Sequence, residues 1–89
     1  MELLYAKKFS KDVDKIQTEA STKRSLLKVI EKIREAGSMG EINGIKKIEG
    51  YQNYYRVKAG EYRLGIKLTK NRVELIRFLH RKDIYRRFP

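Results

Sequence analysis

Four cations are set into the stretch from Tyr54 to Leu68, YYRVKAGEYRLGIKL: Arg56, Lys58, Arg63 and Lys67. Tyr55 and Val57 alternate with Arg56 and Lys58. After the Ala59-Gly60-Glu61 break, Tyr62, Leu64, Ile66 and Leu68 alternate with Arg63, Gly65 and Lys67. Successive strand residues point to opposite faces, so two alternating arms around a Gly-containing break predict a hairpin. One face of it is apolar; the other holds the four cations in fixed positions, which strands do better than loops. A second constellation follows at FLHRKDIYRRFP, residues 78–89, where His80, Arg81 and Tyr85 stand close together. A strand over Val73–Leu79, paired beside the hairpin, delivers His80 and Arg81 to one margin of the cationic face.

Such residues can handle a phosphodiester. A histidine near its ordinary pKa can give or take protons at neutral pH. Arginines can stabilise charge growing on a phosphorane as fixed donors that do not titrate. A tyrosine can stack on an exposed base or donate to a phosphate. Cleavage of RNA without a metal needs this set: activation of the 2′-hydroxyl, protonation of the leaving 5′-oxygen, and charge stabilisation between them. Pattern alone also permits quieter roles. His80 can be a strand-end residue bonded to backbone, Arg56 and Arg63 part of a solvated sheet face, and Tyr85 a packing residue at the sheet's end. The chain offers no carboxylate pair, no Ser-His-Asp arrangement, no metal-ligand spacing and no phosphate-binding glycine loop.

The elements that must position these groups are few. Glu2–Ala6 is compatible with an edge strand. Ser10 is placed as an N-cap with Asp12 in the first turn, and Val13, Ile16 and Ala20 recur at helical spacing, predicting a helix from about 11 to 19. Ala20-Ser21-Thr22 supplies a second cap before a helix from about 23 to 36, striped by Leu26, Leu27, Ile30 and Ile33 and stopped at Gly37. Ser38–Gly44 is a loop, Ile45–Glu49 begins extended structure, and Thr69–Arg72 is a turn into the apolar strand Val73–Leu79. Ile84–Phe88 closes in a turn or one turn of helix. The order β-α-α-β-β-β predicts an α+β fold with two N-terminal helices packed on a small, mostly antiparallel sheet, and residues 1–89 form a single domain.

Twenty-two Lys and Arg stand against eleven Asp and Glu, for a formal charge of +11 spread along the whole chain. A folded domain this basic implies a polyanionic partner, nucleic acid or ribonucleoprotein first, because neutralising phosphates releases counterions. There is no cysteine, so disulfides, thiolate chemistry and Cys-containing zinc sites are excluded. No apolar run is long enough to span a membrane and no signal-peptide pattern opens the chain, so a cytoplasmic protein without membrane contact is expected.

On YYRVKAGEYRLGI at 54–66, FLHRKDIYRRFP at 78–89 and the element order, the chain resembles the RelE/ParE superfamily of toxin–antitoxin toxins, in its RelE-like branch. The resemblance implies a ribosome-dependent mRNA endoribonuclease that works without metal or other cofactor and is silenced by a cognate antitoxin. Its partners would then be the antitoxin, the ribosome and mRNA. It assigns catalytic roles to Arg63, His80, Arg81 and Tyr85 and RNA contacts to Arg56 and Lys58; Lys67, on the same hairpin face, is a further candidate for RNA binding. Two other outcomes stay open: a ParE-like toxin that inhibits gyrase without nuclease activity, and a basic nucleic-acid-binding module with no toxicity.

Overall fold

In the computed structural model, which describes residues 1–89, the alternating arms around Gly60 are strands and the stripe of Leu26 and Ile33 lies on a helix. The order is β1 (Glu2–Tyr5), α1 (Lys7–Asp14), α2 (Ala20–Glu35), a 3-10 turn at Met39–Glu41, β2 (Ile45–Lys47), β3 (Tyr54–Ala59), β4 (Tyr62–Thr69), β5 (Arg72–His80) and α3 (Arg81–Arg87). The strands form one sheet in the order β1-β5-β4-β3-β2. All neighbours are antiparallel except β1, which runs parallel to β5 at the edge. The α+β arrangement expected from the sequence is therefore present, with the extended segment at Ile45 forming β2 and the chain's end forming α3.

The helices α1 and α2 lie against β5 and β3 respectively. The sheet face beneath them supplies Val57, Leu64, Ile66, Val73, Leu75 and Phe78 to the main core. Phe9, Ile16, Leu26, Val29 and Ile33 fill it from above. A smaller core of Ile48, Leu79, Ile84 and Phe88 lies on the other side, under α3.

Boundaries differ from the sequence expectation at both N-terminal helices and at the chain's end. The first helix runs from Lys7 to Asp14, where about 11 to 19 was expected, so Ser10 lies inside it and caps nothing; Ala6 occupies the cap position. Starting there puts Phe9 on the buried face with Asp12, a placement that outweighs a modest cap preference. The second helix begins at Ala20 with Glu19 before it, and Thr22 donates to Glu19 Oε1 at 3.2 Å in place of capping a backbone N–H. Within it Leu26, Val29 and Ile33 are the buried positions, whereas Leu27 is 62% exposed. At the chain's end the helix starts directly after β5 at Arg81 and runs for seven residues, two turns and not one.

A bulge in β5 sets which residues reach which face. Gly65 faces Arg77 and Ile66 faces Leu75, which leaves Ile76 as the extra residue. Val73 and Leu75 thus share a face with Phe78 and His80. Arg77 and Leu79 share the other with the hairpin cations.

Candidate active site on the cationic sheet face

The hairpin register places Lys58 across from Arg63, Arg56 across from Gly65 and Tyr54 across from Lys67. Directly paired residues share a face, so all four cations stand on one side of β3 and β4, opposite Val57, Leu64 and Ile66. Gly60, at φ 63, makes the tight turn between the arms in a region that favours glycine. Arg63 folds toward that turn: its Nη1 donates to the carbonyls of Gly60 and Tyr62 at 2.9 and 2.8 Å. One end of the guanidinium is thereby fixed, and its remaining donors carry no intramolecular hydrogen bond.

The C-terminal helix reaches the same face. Arg56 lies over the Tyr85 ring, its guanidinium carbon 4.3 Å from the centroid, in cation–π range, and Tyr85 remains 62% exposed. Phe88 holds this helix down. Its ring covers Gly65 so closely that a Cβ there would lie 2.7 Å from it. Glycine at this position lets the end of the chain dock between Arg56 and Arg77, and the docking carries Tyr85 to Arg56.

His80 and Arg81 go elsewhere. His80 pairs with Tyr62, on the face opposite Arg63, and the two rings meet edge to face with centroids 5.6 Å apart. Its Nδ1 accepts from the Lys82 N–H at 3.2 Å, which makes it the N-cap of α3. Together with Asp12, Glu19, Tyr62, Asp83 and Arg87 it lines a cavity of about 190 Å³. Burial, and after it the Glu19 carboxylate, raises the Tyr62 pKa above that of a free phenol. Arg81 sits at the hairpin tip, where its Nε meets Glu61 at 3.1 Å and its N–H donates to the Glu61 carbonyl at 2.9 Å. The fold thus brings Arg56, Lys58, Arg63, Lys67 and Tyr85 onto one face, while His80 lies on the other and Arg81 at the rim.

Two features escaped the sequence reading. Asp12 is a buried ligand of Arg77 and not merely a first-turn acid; the local sequence holds no sign of a partner so far along the chain. Tyr51 and Tyr54 add aromatic surface next to Lys67, and Tyr54, at the start of β3, stands on the cations' face. Extending the hairpin's alternation back one step, from Arg56 to Tyr54, would have found the second of them. No cluster of three His, Cys, Asp or Glu side chains is arranged to hold a metal ion.

The chain matches a known family along most of its length. Residues 3–85 match the family described as ParE toxin of type II toxin-antitoxin system, parDE. The chain is 38% identical over 90 residues to Toxin RelE3 of Methanocaldococcus jannaschii, with all of both chains covered. Its fold is similar to that in the crystal structure of the RelB–RelE antitoxin–toxin complex from Methanococcus jannaschii, at a TM-score of 0.78 and 37% identity, over 97% of this chain and 99% of that one. YafQ from E. coli shares the fold at a TM-score of 0.75 and 17% identity, over 94% of this chain and 97% of its own. The chain belongs to the ParE toxin family of type II toxin–antitoxin systems, within the RelE/ParE superfamily.

Proposed function

We propose that this toxin arrests translation by cutting mRNA in the ribosomal A site, without a metal ion, and that a cognate antitoxin silences it. The observation that carries the reading is Arg63: a guanidinium fixed at one end by two carbonyls, free at the other, and directly across the ladder from Lys58. A donor held in place before the reaction stabilises developing charge without having to reorganise. Arg63 would bind the pentavalent phosphate, while Lys58, the cation opposite it, would give or take the proton. Arg56 and Lys67 would hold the backbone of the message, and Tyr85, exposed beside Arg56, would stack on a base. Arg81 would serve phosphates at the rim once it leaves Glu61. His80, whose Nδ1 already accepts a backbone N–H, would support α3 and so the position of Tyr85. The antitoxin follows from the company the fold keeps, since a solved relative at 37% identity is a toxin bound to its antitoxin.

A second reading rests on the matched family, whose description is that of ParE. On that reading the cationic face binds a protein target, gyrase, and does no chemistry. Purified protein separates the two. Cleavage of mRNA on programmed ribosomes, with gyrase supercoiling untouched, supports the nuclease; inhibited supercoiling with intact mRNA supports the alternative.

A further inference from the structure

Beyond the four cations, the same sheet face carries an aromatic strip that no catalytic role uses. Tyr54 lies across β3–β4 from Lys67, whose Nζ sits 5.2 Å from its ring centroid. Tyr51 meets Tyr54 edge to face at 5.9 Å, and Tyr54 meets Phe88 at 5.7 Å. Phe88 is buried, but Tyr51 is 51% exposed on a loop. An aromatic ring left open on a loop usually moves; this loop is pinned. The Ile48 N–H donates to the Tyr54 carbonyl at 2.9 Å, and the Leu68 N–H donates to the Asn53 carbonyl at 2.8 Å. Gly50 and Asn53, both at positive φ, let the chain turn tightly between those bonds.

We propose that Tyr51, braced by Tyr54 and with Lys67 over the Tyr54 ring, forms a stacking platform for unpaired bases of single-stranded RNA. It rests on the nuclease reading for its location and extends the RNA track beyond the Arg56–Tyr85 pair. Every base has a π-face, so a ring beside a backbone-binding cation holds single strands with little regard to sequence. Duplex RNA keeps its bases stacked inside and cannot use such rings. The pinned loop lowers the ordering cost of binding, which is why the ring is useful where it stands.

The test is binding of a fluorescent oligouridine to the purified toxin at low salt, with no ribosome present. Tyr51→Ala, at an exposed site, should weaken binding by about ten-fold, the loss expected for one stacked base. Tyr51→Trp should bind at least as tightly as wild type, and a duplex of equal length should bind Tyr51→Ala and wild type alike. Equal affinity of wild type and Tyr51→Ala for the single strand, or no measurable binding by wild type, overturns the platform. So does an unchanged RNA affinity accompanied by faster release of the antitoxin, which would assign the strip to a protein partner. The platform and the nuclease fail separately. Weaker binding by Tyr51→Ala with no mRNA cleavage by wild type removes only the nuclease; cleavage with unchanged binding removes only the platform.

Discussion

Asp12 and Arg77, 65 residues apart, form a bidentate pair in which Arg77 Nε and Nη2 donate to the two carboxylate oxygens at 2.8 and 3.0 Å. The same carboxylate accepts the Phe78 N–H at 2.9 Å. The position explains both bonds. β1 pairs with β5 only as far as Leu75, so beyond it the edge of β5 is open. The helix α1 runs along that open edge and Asp12 supplies the acceptor that a strand would have supplied. Donating to Asp12 raises the Arg77 pKa, with burial opposing it.

Asp12→Ala therefore leaves a buried guanidinium and a buried N–H without acceptors. Removing one partner of a buried pair costs about 3–5 kcal/mol, and chemical denaturation should show a loss of that size. Replacing both partners, as in Asp12→Leu with Arg77→Met, often proves neutral in other buried pairs. Here it should still cost about 1–3 kcal/mol, because the Phe78 N–H stays unsatisfied. A double variant as stable as wild type would show that the edge does not need Asp12.

Gly65→Ala tests how the C-terminal helix is held. The new methyl meets the Phe88 ring at 2.7 Å, so Phe88 must leave its site or the sheet must give way. Overpacking of this kind costs about 1–3 kcal/mol. Amide exchange should rise across 84–88 while the β3–β4 ladder stays protected. Phe88→Ala should loosen the same segment, and combining the two should cost less than their sum, since both break one contact.

The hairpin was legible because alternation is a local signal: the faces assigned to Arg56, Lys58, Arg63 and Lys67 are the faces the register gives them. The α+β architecture followed from the same kind of signal. What the sequence did not show depends on distant partners. Ser10 carries a cap residue's chemistry, but burial of Phe9 decides where α1 begins. The bulge at Ile76 changes the side on which every later β5 residue stands, and no residue around it announces the shift. His80 was expected at the margin of the cationic face and is found beside Tyr62, because parity after the bulge puts it there. Gly65 read as a gap in an alternating strand, and the Phe88 ring that fills the gap lies more than twenty residues on.

Salt should govern ribosome binding. Each phosphate contact adds counterion release, so affinity should fall steeply and log-linearly as salt is raised. Lys58→Ala removes an exposed side chain from the face, and should flatten the slope by about one unit while leaving thermal stability near wild type. A salt-independent affinity would mean that the face does not meet phosphates.

For His80 the informative substitution is Asn. Asparagine also caps helices well, so His80→Asn should keep α3 in place and keep cleavage within a few-fold of wild type. His80→Ala loses the cap, which costs about 1 kcal/mol, and should weaken activity through a displaced Tyr85. A collapse of cleavage in His80→Asn, with its pH dependence flattened, would instead make the imidazole a proton carrier in the reaction.

The central claim is that Arg63 stabilises the cleavage transition state. Cleavage of A-site mRNA on purified ribosomes, measured in single turnover for wild type and Arg63→Ala, tests it most directly. Loss of one preorganised donor costs ~3–4 kcal/mol, so the variant should be slower by about 10²–10³ while its fold and its antitoxin binding persist. Arg63→Lys should recover only part of the rate, because an ammonium lacks the fork that both holds the turn and faces the phosphate. Equal rates for wild type and Arg63→Ala would contradict the account.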